Sequence, residues 1–460
     1  MAAEDRRPNI VIVLADDLGY GDLGCYGNDV VRTPHLDRFA AEGLRLTDCY
    51  AAAANCSPAR AGLLTGRIPY RAGIHNWIPM GSPMHLRNGE VTVANLLREA
   101  GYATCHVGKW HLNGRFNEPD QPQPADHGFD HWFSTQNNAL PSHRDPDNFV
   151  RNGEPVGQLA GYSARNVVAE AVRWMMDGRP KDRPFFLYVC FHEPHEPIAT
   201  AAEFQELYAG IEDPARRAHH GNISQMDAAF GRLMRAVDDL ELRNETFVLF
   251  TSDNGPAITA RHPHGSAGPL RDKKGSLYEG GIRVPGIIRW TGRVPAGGVS
   301  HEPVSGVDLL PTLCAIAGIR PPENRLLDGA SLLPLFAGRP VERSTPLYWQ
   351  FNFSHARPRV ALRDGDWKIL ATLSGPELKP GGDIRAEDQQ AIKSAELQSF
   401  ELYNLREDVG ETTDLARREP ARLKRMSEQL RQLSGAVRDE TPTWPAWDWP
   451  RYEASRIRYD

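Results

Sequence analysis

The stretch Asn9-Ile10-Val11-Ile12-Val13-Leu14-Ala15 runs without a charged break into Asp16-Asp17. Three further runs share this build. Tyr102–Val107 ends in Gly108-Lys109-Trp110-His111, Phe185–Phe191 in His192-Glu193-Pro194-His195, and Thr246–Thr251 in Ser252-Asp253-Asn254-Gly255. Continuous rather than alternating hydrophobicity over so few residues predicts strands buried on both faces, as in a sheet held between helices. Helical patterns lie between the runs. Ser163–Asp177 has Ser163 as N-cap and Gly178 just past its end, and Asn222–Leu240 repeats Ile223, Met226, Phe230, Leu233, Val237 and Leu240 at three- and four-residue steps. Alternating strands and helices make the core α/β, and in open α/β sheets the site lies beyond the carboxyl ends of the strands. All four polar clusters would converge there.

The pattern changes near residue 340, which divides the chain into 1–340 and 341–460. After Gly338-Arg339-Pro340 come short strand-like pieces (Leu347–Phe353, Val360–Arg363, Trp367–Leu370) and a polar loop over Ser374–Glu396. An amphipathic helix then carries Leu423, Met426, Leu430 and Leu433. That is a smaller α+β unit. The tail carries Trp444, Trp447, Trp449 and Tyr452, too aromatic for a solvated end, so it is expected to pack on the body.

Composition narrows the function. Of 460 residues, 53 are Lys or Arg and 59 Asp or Glu, a net charge of −6, so no overall field recruits nucleic acid or anionic lipid. The longest apolar run, Phe185–Phe191, is far below the roughly 18 residues of a membrane span. Six cysteines are too sparse for a disulfide framework and lack zinc spacing. Met1–Arg7 has no apolar signal core. The mature chain is read as periplasmic or secreted, its export signal already removed.

The most specific signal is Cys56-Ser57-Pro58-Ala59-Arg60, followed by Ala61-Gly62-Leu63-Leu64-Thr65-Gly66-Arg67. Alone, the pentapeptide also fits a buried structural cysteine before a proline-started helix. With its continuation it resembles the signature of the formylglycine-dependent type I sulfatases of the alkaline phosphatase superfamily. Asp16-Asp17, Gly108–His111, His192 with His195, Asp253–Gly255, Lys274-Gly275, Tyr278–Pro285 and Leu402–Glu411 match further segments of that family, in its order. The resemblance implies an alkaline-phosphatase-like α/β/α sandwich with a large mixed sheet, and a smaller C-terminal α+β domain with an antiparallel sheet. It also implies that a formylglycine-generating or anaerobic maturation enzyme oxidises Cys56 to an aldehyde, and that the cation is calcium, with the oxidised Cys56 among its ligands.

The residue chemistry agrees with this. Asp16, Asp17, Asp253 and Asn254 offer only oxygen atoms, which suits a hard divalent cation better than zinc. Paired acids at strand ends also cap helices, which is the alternative for Asp16-Asp17 alone. A sulfate ester needs cations, donors and a proton source as charge moves to the leaving oxygen. Pro58 can open a helix whose free amides face the anion, with Arg60 on its first turn holding the hydrated aldehyde. Lys109 and Lys274 would bind sulfate oxygens; outside these motifs they read as surface lysines. His192 is the candidate general acid, and His111 the base toward the remaining hydroxyl of the sulfated hydrate. His195 either braces His192 or contacts substrate.

Sugar recognition is assigned to Thr135–Asn148 and Ala260–Gly268 through Asn137, Asn138, His143, Arg144, His262 and His264, polar loop residues suited to a polyol. The expected substrate is a sulfated carbohydrate, cleaved from a chain end. Within the family, galactose or N-acetylgalactosamine sulfate is preferred by resemblance. The alternatives are a phosphonate monoester or phosphodiester hydrolase, and a non-catalytic sugar-sulfate binder if Cys56 stays unmodified. The expected outcome of peptide mass spectrometry on active protein is a residue 56 that has lost sulfur and two hydrogens and gained oxygen. Full turnover by protein whose residue 56 is entirely cysteine contradicts the mechanism.

Overall fold

The computed structural model describes residues 7–459. The N-terminal stretch read for an export signal lies, apart from Arg7, outside the described residues. A ten-stranded mixed sheet forms the centre. Five parallel strands make its middle, in the spatial order Thr246–Ser252, Asn9–Asp16, Phe185–Pro194, Ala103–Lys109 and His131–Thr135. Further strands extend both sides, the first on each side antiparallel: Gly286–Arg289 against Thr246–Ser252 and Val150–Arg151 against His131–Thr135.

Why the runs are continuously apolar is visible in their packing. Ile10, Ile12 and Leu14 join one core with Phe186, Tyr188, Cys190, Phe247 and Leu249, whereas Val11, Val13 and Ala15 join the opposite core with Leu187, Val189, Val248 and Phe250. Alternate residues feed opposite faces, so both parities must be apolar. Helices Pro34–Ala41, Ser163–Arg173 and Pro214–Asp239 cover one face; Cys56–Thr65, Val93–Glu99 and Leu309–Ala317 cover the other.

Local boundaries depart from the periodicity. The long helix begins at Pro214, not Asn222, because the Asp213 carboxylate accepts from the amides of Ala215 (2.9 Å) and Arg216 (3.4 Å) and Pro214 suits the first turn. Tyr162, not Ser163, is the N-cap of the shorter one, since the Ser163 hydroxyl donates to Glu193. The segment read as a polar loop over 374–396 holds a helix, Ala386–Ser394, that buries Gln389 and Ile392.

A separate four-stranded antiparallel sheet, Leu347–Gln350, Val360–Asp364, Trp367–Leu373 and Leu397–Asn404, packs under helix Pro420–Glu440. Its core is shared: Trp349, Leu362, Leu370 and Leu402 cluster with Tyr50, Ile68, Tyr70, Leu277 and Ile282 from the first part of the chain. Buried charges join the same two parts. Lys368 Nζ lies 2.8 Å from Glu279 and 2.9 Å from Glu411, and Asp48 pairs with both Arg283 and Arg363 at 2.6 Å. Lys368, Glu279 and Glu411 are all fully buried. Removing one partner of such a group strands uncompensated charge in a low-dielectric interior. Lys368→Met is therefore expected to lower stability by about 3–5 kcal/mol, read as a fall in the urea midpoint, and a midpoint within error of wild type would refute the clamp.

Candidate active site

Strand direction brings the polar clusters to one end of the sheet. Asp16 ends one strand and Asp17 turns off it with φ 65°, while Asp253 and Asn254 follow the neighbouring strand Thr246–Ser252. The Asp17 amide donates to Asp253 Oδ1 at 3.2 Å, and Asn254 Nδ2 donates to Asp17 Oδ1 at 2.7 Å. On the next strand but one, Gly108 has φ 98°, and a Cβ there would lie 1.8 Å from the Cys190 carbonyl oxygen. Only glycine fits. That close approach delivers Lys109 to the cluster, its Nζ 2.6 Å from Asp16 Oδ2.

Cys56 is the first residue of helix Cys56–Thr65, every residue of which is buried. Asn55, extended, caps it by accepting from the Cys56 amide at 2.8 Å. Pro58 therefore sits inside the first turn rather than opening the helix. One turn on, Arg60 places Nη2 2.8 Å from Asp253 and donates through Nη1 to the Lys109 carbonyl at 2.9 Å. Lys274 Nζ reaches Asp17 at 2.7 Å.

The electrostatics identify what this cluster fits. Asp16, Asp17 and Asp253 are all buried. Burial pushes Asp253 up to about 7, the charges of Asp16 and Asp17 add to this, and Arg60 and Lys109 oppose it. Asp16 goes the other way: burial raises it, but Lys109, His195 and Arg60 together hold it well below the usual carboxylate range. Asp16 Oδ1 and Asn254 Oδ1 are buried without a hydrogen-bond partner among the described residues. Asp16, Asp17, Cys56 and His195 each place a ligating atom within 4.8 Å of the others. Orphaned oxygens amid buried carboxylates fit a hard divalent cation.

Cys56 lies at the floor of a cavity of about 430 Å³, within the ordinary range of small-molecule sites. Asn55, Asn76, Trp77, His111, Asn137, Asn138, His195 and Lys274 line it, joined from the C-terminal part by Phe351, Phe353, His355, Trp449 and Glu453. His111, at φ 58°, approaches the Ile78 carbonyl with Nε2 at 3.1 Å, and its buried Nδ1 has no partner among the described residues. His195 Nδ1 lies 2.5 Å from the Glu196 carbonyl, and its Nε2 is 3.5 Å from Asp17.

Against that cavity, the structure separates the sequence candidates. A Sulfatase family model matches residues 8–319, and a second model, N-sulphoglucosamine sulphohydrolase C-terminal, matches 270–378. The chain belongs to the sulfatase family. Human arylsulfatase A is 38% identical over 89% of this chain and 83% of its own length. Dog N-acetylgalactosamine-6-sulfatase is 37% identical over 73% of this chain and 67% of its own. The crystal structure of Ps i-CgsB in complex with k-i-k-neocarrahexaose superposes with TM-score 0.82 at 28% identity, covering 98% of each chain. This sulfatase is thus a sulfuric ester hydrolase of a family that uses formylglycine and a bound metal.

Several expected positions lie elsewhere. His192 does not line the cavity: it is wholly buried, its Nε2 is 2.8 Å from the Thr135 hydroxyl, which itself donates to the Asn137 carbonyl at 2.7 Å, and Phe149 packs against its ring. His143 is buried 5.4 Å from His192, ring to ring. Arg144 faces solvent beside Asp145, and His262 sits 3.7 Å from Glu196. His264 lies 3.1 Å from Asp213 and lines a different cavity with Arg216 and His220. Asn137 and Asn138 alone of the six proposed sugar readers reach the Cys56 cavity. The C-terminal lining was not foreseen; its only sequence signal was the aromatic tail. The expected outcome for Asp17→Asn, with folding checked by near-ultraviolet circular dichroism, is loss of most of the protein-bound divalent metal in plasma mass spectrometry. Metal content equal to wild type would return Asp17 to a capping role.

Proposed function

We propose that the enzyme is a calcium- and formylglycine-dependent carbohydrate sulfatase acting on a sugar at the end of a chain. The observation that carries this is Cys56 at the N-terminus of a buried helix, on the floor of a cavity, ringed by Asp16, Asp17, Asp253 and Asn254 and by Arg60, Lys109 and Lys274. The four acid and amide side chains would hold calcium, an oxygen-seeking cation that stabilises negative charge on sulfate. Matured Cys56 would supply two hydroxyls on one carbon, the first a nucleophile toward sulfur and the second a handle for releasing sulfate.

The remaining steps belong to this chain's side chains. Lys274 lines the cavity and Lys109 lies behind it, so sulfate oxygens meet positive charge at the floor. Arg60, locked on Asp253, fixes the helix that carries residue 56. His111, with Nε2 directed at the Ile78 carbonyl, keeps the Nδ1 lone pair to take the proton of the second hydroxyl. For the general acid we replace His192 with His195. His195 stands on the cavity wall with Nε2 available to give a proton to the leaving alcohol, and His192 is sealed behind Thr135. His192 then positions the Thr135–Asn137 segment.

The substrate class follows from the similarity to dog N-acetylgalactosamine-6-sulfatase and to Ps i-CgsB, which was crystallised with a neocarrahexaose. Both support a sulfated sugar, and the first supports galacto configuration. Named sulfatases at 37–38% identity favour sulfate over a phosphonate or phosphodiester. A formylglycine-generating or anaerobic maturation enzyme is the required partner, and an exported location suits a polysaccharide substrate. No described helix is long and apolar enough to cross a membrane.

An alkyl alcohol leaves poorly without a proton, whereas nitrophenolate needs little help. His195→Ala is expected to lower kcat/KM on a sugar sulfate at least about tenfold more than on 4-nitrophenyl sulfate. His192→Ala is expected to affect both alike. The opposite pattern would restore His192 to the acid role.

A further inference from the structure

The C-terminal tail forms part of the lining of the Cys56 cavity and is fastened to the body before and after that stretch. On one side the Trp444 indole donates to the Gly73 carbonyl at 2.8 Å, Trp447 bridges to Ile384, and the Trp449 amide donates to Asp383 at 2.8 Å. On the other, the Arg458 amide donates to the Pro141 carbonyl at 2.7 Å, Arg456 pairs with Asp147 at 2.7 Å, and the Arg261 guanidinium lies 3.7 Å from the centre of the Tyr459 ring. Between these anchors Trp449, Glu453, Ala454 and Ile457 line the cavity.

The chemistry of this stretch is selective. Glu453 is 6% exposed, and among the described lining residues it is the only carboxylate. Asn137 Nδ2 donates to its Oε1 at 3.3 Å. Burial raises its carboxyl somewhat, opposed by the Asn137 hydrogen bond and the charge of Lys109. Lys274 is the only Lys or Arg among the described lining residues, and it is paired with Asp17 at the floor. Trp449 meets Trp77 edge to face at 5.0 Å, and its buried Nε1 donor has no partner among the described residues. Its place depends on Gly382, where a Cβ would stand 2.8 Å from the indole Cδ2.

We propose that Glu453, Trp449 and Asn137 form the sugar subsite of this sulfatase, and that they select a ring carrying the scissile sulfate and no second anionic group. The inference rests on the sulfatase reading of the Cys56 cavity. A sugar hydroxyl donates to a carboxylate in a charge-assisted bond, and an indole beside it covers the apolar face of a pyranose. A second sulfate or a uronate would meet the buried Glu453 as a like charge, with no guanidinium among the described lining residues to receive it. Specificity then comes from repulsion as much as from contact.

The test uses fully matured wild type, Glu453→Gln and Gly382→Ala, each checked for a wild-type melting profile. The substrates are 4-nitrophenyl sulfate, monosulfated galactose and N-acetylgalactosamine, and their disulfated counterparts. Wild type is expected to prefer the monosulfated sugar by about a hundredfold in kcat/KM, and Glu453→Gln to narrow that preference about tenfold. Gly382→Ala, by displacing the indole, is expected to raise KM for the monosulfated sugar about tenfold relative to the aryl ester. A preference unchanged in well-folded Glu453→Gln, or wild type cleaving both sugar classes equally, would overturn the subsite. Turnover of the aryl ester with none of the monosulfated sugars would also contradict it. Failure of matured wild type on every sulfate ester would overturn the sulfatase reading and this inference with it.

Discussion

Three buried carboxyl groups at the ends of two neighbouring parallel strands are the constraint on which the rest of the site depends. Like charges in a low-dielectric interior repel strongly, and Asp253, pushed up to about 7 by burial and then by Asp16 and Asp17, records that strain. The fold answers from several directions. Arg60 arrives from a helix, Lys109 from a strand across the sheet, and Lys274 from a distant loop. Each cation holds a carboxylate and belongs to a different element, so the ion pairs tie together the segments that meet at this end of the sheet. A bound cation would complete the same compensation, which would make metal binding and site assembly one electrostatic problem.

Parallel pairing makes this concentration possible. Adjacent parallel strands end on the same side, and their first turn residues converge without any long-range design of the loops. This edge carries backbone exceptions of its own: Asp17 and His111 adopt positive φ, and Gly108 presses on the Cys190 carbonyl. Such strain persists where surrounding structure over-determines it. The second layer of organisation is the small sheet. Its buried Lys368, together with Arg363, binds it to Glu279, Glu411 and Asp48, and Phe351, Phe353 and His355 beside it line the cavity. The tail closes over the join. The cavity is therefore lined from both parts of the chain, by Cys56, His111, His195 and Lys274 from the first and by Phe351, Phe353, His355, Trp449 and Glu453 from the second.

Much of the catalytic floor was legible because strand termini are short in sequence and strongly typed. The placement of His192, buried and off the cavity wall, shows where that legibility stops. His192 lies within the strand Phe185–Pro194, whereas His195 follows it. Sequence spacing puts both near the strand end, but the side chain's direction depends on the turn that follows. Loop composition likewise grouped His143, Arg144, His262 and His264 with Asn137 and Asn138, although only the last two reach the cavity. Polarity says a residue can bond a sugar; it does not say which way the loop folds.

By itself, the sequence determined the class of the core and the ingredients of the reaction. Uninterrupted apolar runs bury on both faces of a parallel sheet, and their polar ends, with the Cys56–Arg67 signature, have few other uses in that setting. Those are local properties, written within a few residues. Only the tertiary structure decided which histidine faces the cavity, which loops miss it, and that Trp449 and Glu453 line the same cavity as Cys56. Contacts across hundreds of residues arise from packing and buried charge pairing, which depend on the summed geometry of the chain and leave no mark in any single segment.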